Sequence, residues 1–333
     1  MYRVSLVQPA ASGRISGGFL YNALMAAQGV WELVDVQPDA LEGSTERWPA
    51  EGLVLMDSIW LTEQRASAFF ALRARGRRVG LMLHSFPSMI EATENGREPR
   101  LRPSEFELNA IEQLDVVVVP GRHYADLLAG SSTRIIIAEP GIDDGWRAPP
   151  RRRRGLCRVV SVGSVTPRKG FLDVAEILAA RASADVRWTV VGSLDADLDY
   201  ARELRSRVRV LSDVELLGQQ LPAEVQRLVR GSDLLVMPSY DENHPLVLLE
   251  AMAASVPAVA YAAGAARHMV EHGQEGLIAP IGDKTRLSVH LNRLIDDEPA
   301  RLAMAEACWQ RQNSLPNWQI AGRMAREALQ TNE

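Results

Sequence analysis

The sequence predicts an α/β protein with two Rossmann-like, doubly wound parallel-sheet domains. Short apolar β-type runs alternate with segments of helical period along the whole chain, as in parallel sheets wrapped by helices. The alternation stops at an arginine- and proline-rich stretch near residue 150 and then restarts. At 333 residues, the chain is long enough for two domains of ordinary size.

Six β-type runs precede the break, and several are apolar at consecutive positions, which is typical of strands buried on both faces. They are Val4–Val7, Trp31–Val36, Leu53–Met56, Val79–Leu83, Val116–Val119 and Arg134–Ile137. Segments of helical period lie between them, for example residues 66–74 and 105–114. The pattern of strands and helices in the first half of the sequence therefore predicts one complete domain, over residues 1–147.

The break itself reads Arg147-Ala-Pro-Pro-Arg-Arg-Arg-Arg-Gly155. Prolines and adjacent like charges disfavour both strand and helix, so we interpret residues 148–156 as a solvated linker rather than a phosphate or lipid patch. Five further β-type runs follow: Arg158–Val162, Trp188–Val191, Val214–Leu217, Leu234–Met237 and Ala258–Tyr261. Two such domains joined by one linker predict a cleft between them.

Composition excludes several functions. Residues 1–150 hold 14 Arg, no Lys and 19 Asp and Glu, and this acidic half argues against nucleic acid, whose binders are basic. No window approaches the ~20 apolar residues of a membrane span. Two distant cysteines and the lack of a signal-like start indicate a cytoplasmic protein, and six scattered histidines argue against a metal cage.

Loops after strands are the expected ligand sites, because such sheets bind ligands at the carboxyl ends of their strands. In the loop of residues 12–19, Gly17 and Gly18 precede a helix, where free N–H groups attract anions. In the loop of residues 162–171, Arg168 and Lys169 would neutralise a diphosphate. From these residues alone, the first loop could equally be an ordinary strand-to-helix turn. The second could equally be a surface turn with solvated charges.

The segment of residues 238–253 is the most informative. Glu242 lies in a loop after a buried strand, and Glu250 follows eight positions later on a helix that is apolar nearly all round. A buried carboxylate needs a partner, and one at this place can accept both hydroxyls of a ribose. The start of the helix offers a second anion site beside Lys169.

With these residues the chain resembles the family-four (group 1) retaining glycosyltransferases of GT-B fold. The two-glutamate motif is read here as Pro238-Ser239, Glu242, Leu246 and Glu250-Ala-Met-Ala253. Further segments that are similar to the family's are residues 140–143, 162–170, 214–218, 232–239 and 273–280. The resemblance implies a donor domain over residues 157–312 and a C-terminal helix, residues 313–333, that returns to the first domain.

The resemblance also implies roles for individual residues. Glu250 would bind the donor ribose, Glu242 would lie near the donor sugar, and Lys169 would meet the diphosphate. Gly17 and Gly18 would close on donor or acceptor. His84, which follows the fourth strand, would lie beside the reacting centre, although a lone histidine after a strand is more often structural.

Departures from the family pattern concern the phosphate contacts. Ser164 stands where the family usually has arginine, and Arg168 is the candidate replacement. Pro245 has no N–H, so backbone phosphate contacts shift to Leu246 and Val247. Asn243 and His244, which precede this proline in place of a Gly-aromatic pair, are further donor-binding candidates.

The expected function is transfer of a sugar from a nucleoside diphosphate sugar to a small-molecule, glycan or lipid-linked acceptor, with retained configuration and without metal or cofactor. The alternatives are a nucleotide-sugar epimerase or a phosphorylase on the same fold, or a non-catalytic nucleotide-sugar-binding protein, which Ser164 favours. Asp195-Ala-Asp197 matches a metal motif of another glycosyltransferase fold, with little other support. Five aromatic residues could line an acceptor face, although core packing is the simpler interpretation: Trp31, Trp48, Trp60, Phe86 and Trp146.

Overall fold

The computed structural model of the chain describes residues 3–10, 16–37, 40–41, 48, 51–94, 102–152, 155–181 and 185–331. The chain divides into two compact units. Unit 1 comprises Met1–Ala92, Arg97–Gly141 and Pro316–Glu333, and unit 2 comprises Thr93–Gly96 and Ile142–Leu315.

Unit 1 is built on a six-stranded sheet in which all neighbouring strands are parallel, in the order β2-β1-β3-β4-β5-β6. The strands are β1 (Val4–Pro9), β2 (Glu32–Val36), β3 (Leu53–Asp57), β4 (Arg78–Met82), β5 (Val116–Val119) and β6 (Arg134–Ile137). Every residue of β3 and β5 is buried, which confirms that these strands are covered on both faces.

Helices flank this sheet, as parallel crossovers require. They are α1 (Gly17–Ala27), α2 (Glu63–Ala74), α3 (Pro87–Glu94), α4 (Glu105–Ile111) and α5 (Arg122–Leu127). The capping box of α4 explains where that helix begins: Ser104 accepts from the Glu107 N–H, and the Glu107 carboxylate accepts from the Ser104 N–H.

Unit 2 contains a second parallel six-stranded sheet, in the order β12-β11-β10-β7-β8-β9. Its strands are β7 (Cys157–Val162), β8 (Val186–Val191), β9 (Val214–Leu216), β10 (Leu234–Met237), β11 (Ala258–Tyr261) and β12 (Gly276–Ala279). Its helices are α6 (Phe171–Ala179), α7 (Leu198–Val208), α8 (Pro222–Arg230), α9 (Leu246–Ala253), α10 (Ala266–Met269), α11 (Lys284–Asp296) and α12 (Glu298–Arg311).

The predicted fold class of two doubly wound parallel-sheet units is confirmed. All eleven β-type runs named from the sequence overlap strands, and β12 lies within the segment that the family resemblance had indicated. The predicted domain and linker boundaries remain predictions. The structure itself divides the chain between Gly141 and Ile142, because Ile142 and Trp146 pack into a core cluster of unit 2. The Ala148 N–H also donates to the Ala253 carbonyl, at 3.1 Å.

Within the part of the chain that the structure describes, no helix has the length and hydropathy needed to cross a membrane.

The last helix, α13 (Trp318–Gln330), belongs to unit 1. The Trp318 ring contacts the edge of the Tyr21 ring on α1, and the Arg326 guanidinium donates to the Gln28 carbonyl. Gly141 lies directly against the start of this helix, because a Cβ atom there would lie only 2.3 Å from the Trp318 nitrogen. The helix therefore packs where only a glycine leaves room for it.

We expect Gly141→Ala to lower the free energy of unfolding by about 2 kcal/mol, because the added methyl group must displace backbone rather than a flexible side chain. Gly130→Ala is the matched control, since a Cβ atom at Gly130 would meet no atom of the described residues within 4 Å. Urea unfolding of both variants measures the difference. Equal stability of the two would contradict the close packing at Gly141.

Candidate functional site

Two loops meet at the carboxyl edge of the unit 2 sheet. β7 and β10 are neighbours in that sheet, so the loops that follow them emerge side by side. The Tyr240 N–H donates to the Arg168 carbonyl at 2.9 Å and joins the two loops. A single 3₁₀ turn, Pro167–Lys169, then presents the two predicted diphosphate cations.

Lys169 and Glu242 form a buried ion pair between these loops. Their side chains are 15% and 11% exposed. Burial lowers the pKa of the Lys169 ammonium, and Glu242 offsets this only in part. Burial opposes ionisation of Glu242, but the charges of Lys169 and Arg168 outweigh it and hold the pKa of that carboxyl below its usual range. The structure thus brings together two residues that the sequence placed in separate motifs.

Arg168 points toward the same loop. Its Nη1 donates to the Asp241 carbonyl at 2.9 Å and lies 4.0 Å from a Glu242 carboxylate oxygen. Arg168 therefore supplies a second cation beside Lys169 in a chain that has serine rather than arginine at position 164.

Glu250 lies on α9, whose other residues from Leu248 to Ala253 are buried. Burial, with a further contribution from the Asp143 charge, raises the pKa of its carboxyl to about 8. That carboxyl has no hydrogen bond or ion pair with any residue in the described ranges. A titratable group in this state is typical of a functional site.

The residues before α9 add further polar groups. Both ring nitrogens of His244 are buried and have no hydrogen-bond partner among the residues that the structure describes, and burial lowers the pKa of this imidazole to about 4. Asn243 is buried, and its main-chain carbonyl accepts from the Ala265 N–H at 2.8 Å. Leu246 and Val247 form the first turn of α9, where N–H groups have no intrahelical acceptor, and Pro245 offers no side-chain cap.

A tyrosine–aspartate cluster supports the two loops, and sequence reasoning missed it. The hydroxyls of Tyr240 and Tyr261 both donate to Asp173 Oδ2, at 2.6 and 2.7 Å. The cluster ties the loop after β10 and strand β11 to helix α6, four residues beyond Lys169. No local spacing signals it, because its members are far apart in the sequence.

In unit 1, His84 follows β4 and lies against the start of α1. A Cβ atom on Gly18 would come within 3.2 Å of the imidazole carbons. Gly17 is the first residue of that helix, and Ser16 caps it by accepting from the Phe19 N–H at 3.3 Å. Residues 12–15 of the predicted loop lie outside the described residues.

His84 Nε2 lies 2.8 Å from Asn22 Oδ1 and 3.8 Å from Asp57 Oδ2. Asn22, buried on α1, was not among the predicted residues. Burial lowers the pKa of His84, and the Asp57 charge opposes this in part. The lowered pKa favours the neutral form of the imidazole.

The remaining candidates have structural roles. Asp197 caps α7 by accepting from the Tyr200 N–H, and no group of three or more His, Cys, Asp or Glu within the described ranges is placed to hold a metal ion. The five aromatic residues that could have lined an acceptor face are all buried, so the packing interpretation holds: Trp31, Trp48, Trp60, Phe86 and Trp146.

Sequence comparison identifies a family. Residues 145–311 match the family described as glycosyl transferases group 1. The D-inositol 3-phosphate glycosyltransferase of Rhodococcus jostii is 31% identical over 216 residues, which cover 60% of this chain and 46% of the relative. That of Salinispora arenicola is 32% identical over 199 residues, covering 52% and 44%. The chain therefore spans about half the length of the curated relatives it matches.

Solved structures share the fold at low sequence identity. The Anabaena protein HepE in complex with UDP-glucose matches with a TM-score of 0.79 at 18% identity, covering 99% of both chains. Sucrose-phosphate synthase from Thermosynechococcus elongatus matches with a TM-score of 0.78 at 18% identity, covering 97% of both chains. These likenesses support the two-unit GT-B-type architecture.

We expect Glu242→Gln to lower the free energy of unfolding by about 3 kcal/mol, because it leaves Lys169 buried without its counter-charge. Glu176→Gln is the matched control: it breaks the ion pair of the other lysine, Lys284, where the side chains are 46% and 39% exposed. That exposed pair is worth about 1 kcal/mol or less. Urea unfolding of both variants measures the two losses, and losses of similar size would contradict the proposed burial of the first pair.

The raised pKa of the Glu250 carboxyl predicts that the stability of the protein depends on pH. Its carboxyl titrates near 4.5 when unfolded and near 8 in the folded chain, so between these values the folded state holds the extra proton. The free energy of unfolding then falls as pH rises through this window, by at most about 1.4 kcal/mol per pH unit.

Glu250→Gln removes this contribution, so its stability relative to the wild type should increase from about pH 5 to about pH 8. Urea unfolding at several pH values measures the difference. Glu271→Gln, at an exposed glutamate of the same unit, is the matched control for the substitution itself. A constant difference between Glu250→Gln and the wild type over this pH range would mean that the Glu250 carboxyl is not buried.

Proposed function

Because the chain belongs to the group 1 glycosyl transferase family, we propose that it transfers a sugar from a nucleoside diphosphate sugar to an acceptor hydroxyl. The observation that carries this proposal is the partly buried Glu250 carboxyl, which has no protein partner among the described residues. It lies on the helix that follows the loop of Glu242, the residue that pairs with the buried Lys169. The hydroxyls of a ligand would supply the partner that Glu250 lacks, and its diphosphate would meet the Lys169 cation.

The donor roles follow from the geometry of unit 2. The Glu250 carboxyl binds the ribose hydroxyls, while Lys169 and Arg168 meet the diphosphate. The N–H groups of Leu246 and Val247 add neutral donors at the start of a helix, where the macrodipole favours anions. Asn243, His244 and Glu242 then face the donor sugar.

The proposed reaction breaks the bond between the anomeric carbon and the diphosphate oxygen, and forms a bond to the acceptor oxygen on the same face of the sugar. The acceptor proton passes to the leaving diphosphate, and no protein nucleophile takes part. Lys169 and the start of α9 stabilise the charge that develops on the leaving group, as fixed donors do at an oxyanion, without a metal or other cofactor.

Unit 1 is proposed to serve the acceptor, with Gly17, Gly18 and His84 as its contacts. UDP-glucose is the first donor to test, since HepE was solved with it. D-inositol 3-phosphate is the first acceptor to test, because the curated relatives are named for it. A cytoplasmic location would supply both kinds of molecule.

We expect Lys169→Ala and Glu250→Ala each to lower turnover by about a hundredfold or more, by analogy with loss of an oxyanion donor. Mass spectrometry against a panel of nucleotide sugars, with and without acceptors, measures donor loss. Lys284→Ala, at the exposed second lysine, is the control and should keep wild-type turnover. Lys169→Arg keeps the charge and tests whether the compact ammonium is required.

Near-wild-type rates in Lys169→Ala or Glu250→Ala would contradict the assignment. Conversion of the donor without any acceptor would indicate an epimerase, and a requirement for inorganic phosphate would indicate a phosphorylase. Donor binding without consumption across a broad acceptor panel would identify a non-catalytic binding protein.

A further inference from the structure

We infer that Asn22 is a positioning residue that fixes the proton of His84 on Nε2, so that Nδ1 accepts a hydrogen bond from a substrate hydroxyl. The identity of that hydroxyl, on the acceptor or the donor sugar, rests on the proposed function. The tautomer itself rests only on hydrogen bonds within unit 1.

A chain of amides joins His84 to two carboxylates across neighbouring strands. Asp35 lies on β2, Gln8 on β1 and Asp57 at the end of β3, and Asn22 comes from α1. Asn22, Gln8 and Asp57 are 0%, 5% and 7% exposed. So many buried polar groups are stable only when each is paired.

The carboxylates orient both amides. Asp35 Oδ1 lies 2.9 Å from Gln8 Nε2, and because a carboxylate only accepts, the amino group of Gln8 must point to it. Gln8 Oε1 then accepts from Asn22 Nδ2, and Asp57 Oδ2 accepts from the same nitrogen, both at 2.9 Å. These two bonds use both hydrogens of the Asn22 amino group.

The orientation of Asn22 decides the tautomer of His84. Its carbonyl oxygen is the atom left to face His84, and it lies 2.8 Å from Nε2. A carbonyl oxygen accepts only, so Nε2 must carry a proton. In a neutral imidazole the other nitrogen, Nδ1, then bears the lone pair.

Nδ1 has no hydrogen-bond partner among the residues that the structure describes. It lies beside the start of α1, where a Cβ atom on Gly18 would be 3.5 Å away. A lone pair at this place attracts a hydroxyl and repels an unprotonated phosphate oxygen. The geometry therefore assigns His84 to a hydroxyl of the substrate and not to the diphosphate.

The test is the protonation pattern of the His84 ring, measured by ¹⁵N NMR of the full chain with His84→Gln used for assignment. We expect the wild type to show a protonated Nε2 and an unprotonated Nδ1. Asn22→Leu should release the ring, so that the Nδ1-protonated form becomes populated. Tyr21→Phe is the matched control, because the neighbouring Tyr21 ring contacts His84 while its hydroxyl donates elsewhere, to the Ala138 carbonyl.

A wild-type ring protonated on Nδ1 overturns the inference, and so does an unchanged tautomer in Asn22→Leu. If that variant fails to fold, Asn22→Ser and the wild-type spectrum provide the same test. For turnover, we expect Asn22→Leu to lower kcat about tenfold or more, with less than about a threefold change in KM for the donor. A failure of the proposed function would appear as absent donor consumption in the wild type, and the tautomer would still be measurable.

Discussion

Parallel strand pairing is the constraint on which the rest of this structure depends. Every connection between parallel neighbours must cross back over the sheet, so all strands of one unit end at the same edge. This brings the loops after β7 and β10 together in unit 2. In unit 1 it places Gln8, Asp57 and His84 along the ends of three adjacent strands. In each unit, the topology of the sheet brings together functional side chains that are far apart in the sequence.

Much of the fold was predictable because parallel strands carry a strong local signal. Val116–Val119 is apolar at four consecutive positions and is buried at all four. The site was predictable only in part. Glu242 and Glu250 lie within one short motif, but their states depend on distant groups: Glu242 on Lys169, and Glu250 on the side chains that bury it and, to a lesser extent, on the Asp143 charge.

The residues that the sequence did not reveal have no local signature. Asp173 matters because two tyrosine hydroxyls reach it from other elements. Asn22 sits in an ordinary helical segment, and its role appears only when the carboxylates that orient its amide are known. Whether a side chain is buried also depends on residues far away in the sequence. The sequence around Trp60 does not show whether its ring lies in the core or stacks on a sugar.

The Lys169–Glu242 pair has a consequence for which ligands can enter. An anion that draws Lys169 away leaves the buried Glu242 carboxylate without its nearest cation, and loss of one partner from a buried ion pair costs about 3–5 kcal/mol. A ligand that carries hydroxyl donors next to its anionic group can replace both halves of the pair in one event. Under the proposed function, this ion pair would therefore discriminate against bare phosphate and favour molecules that join a negative charge to a polyol.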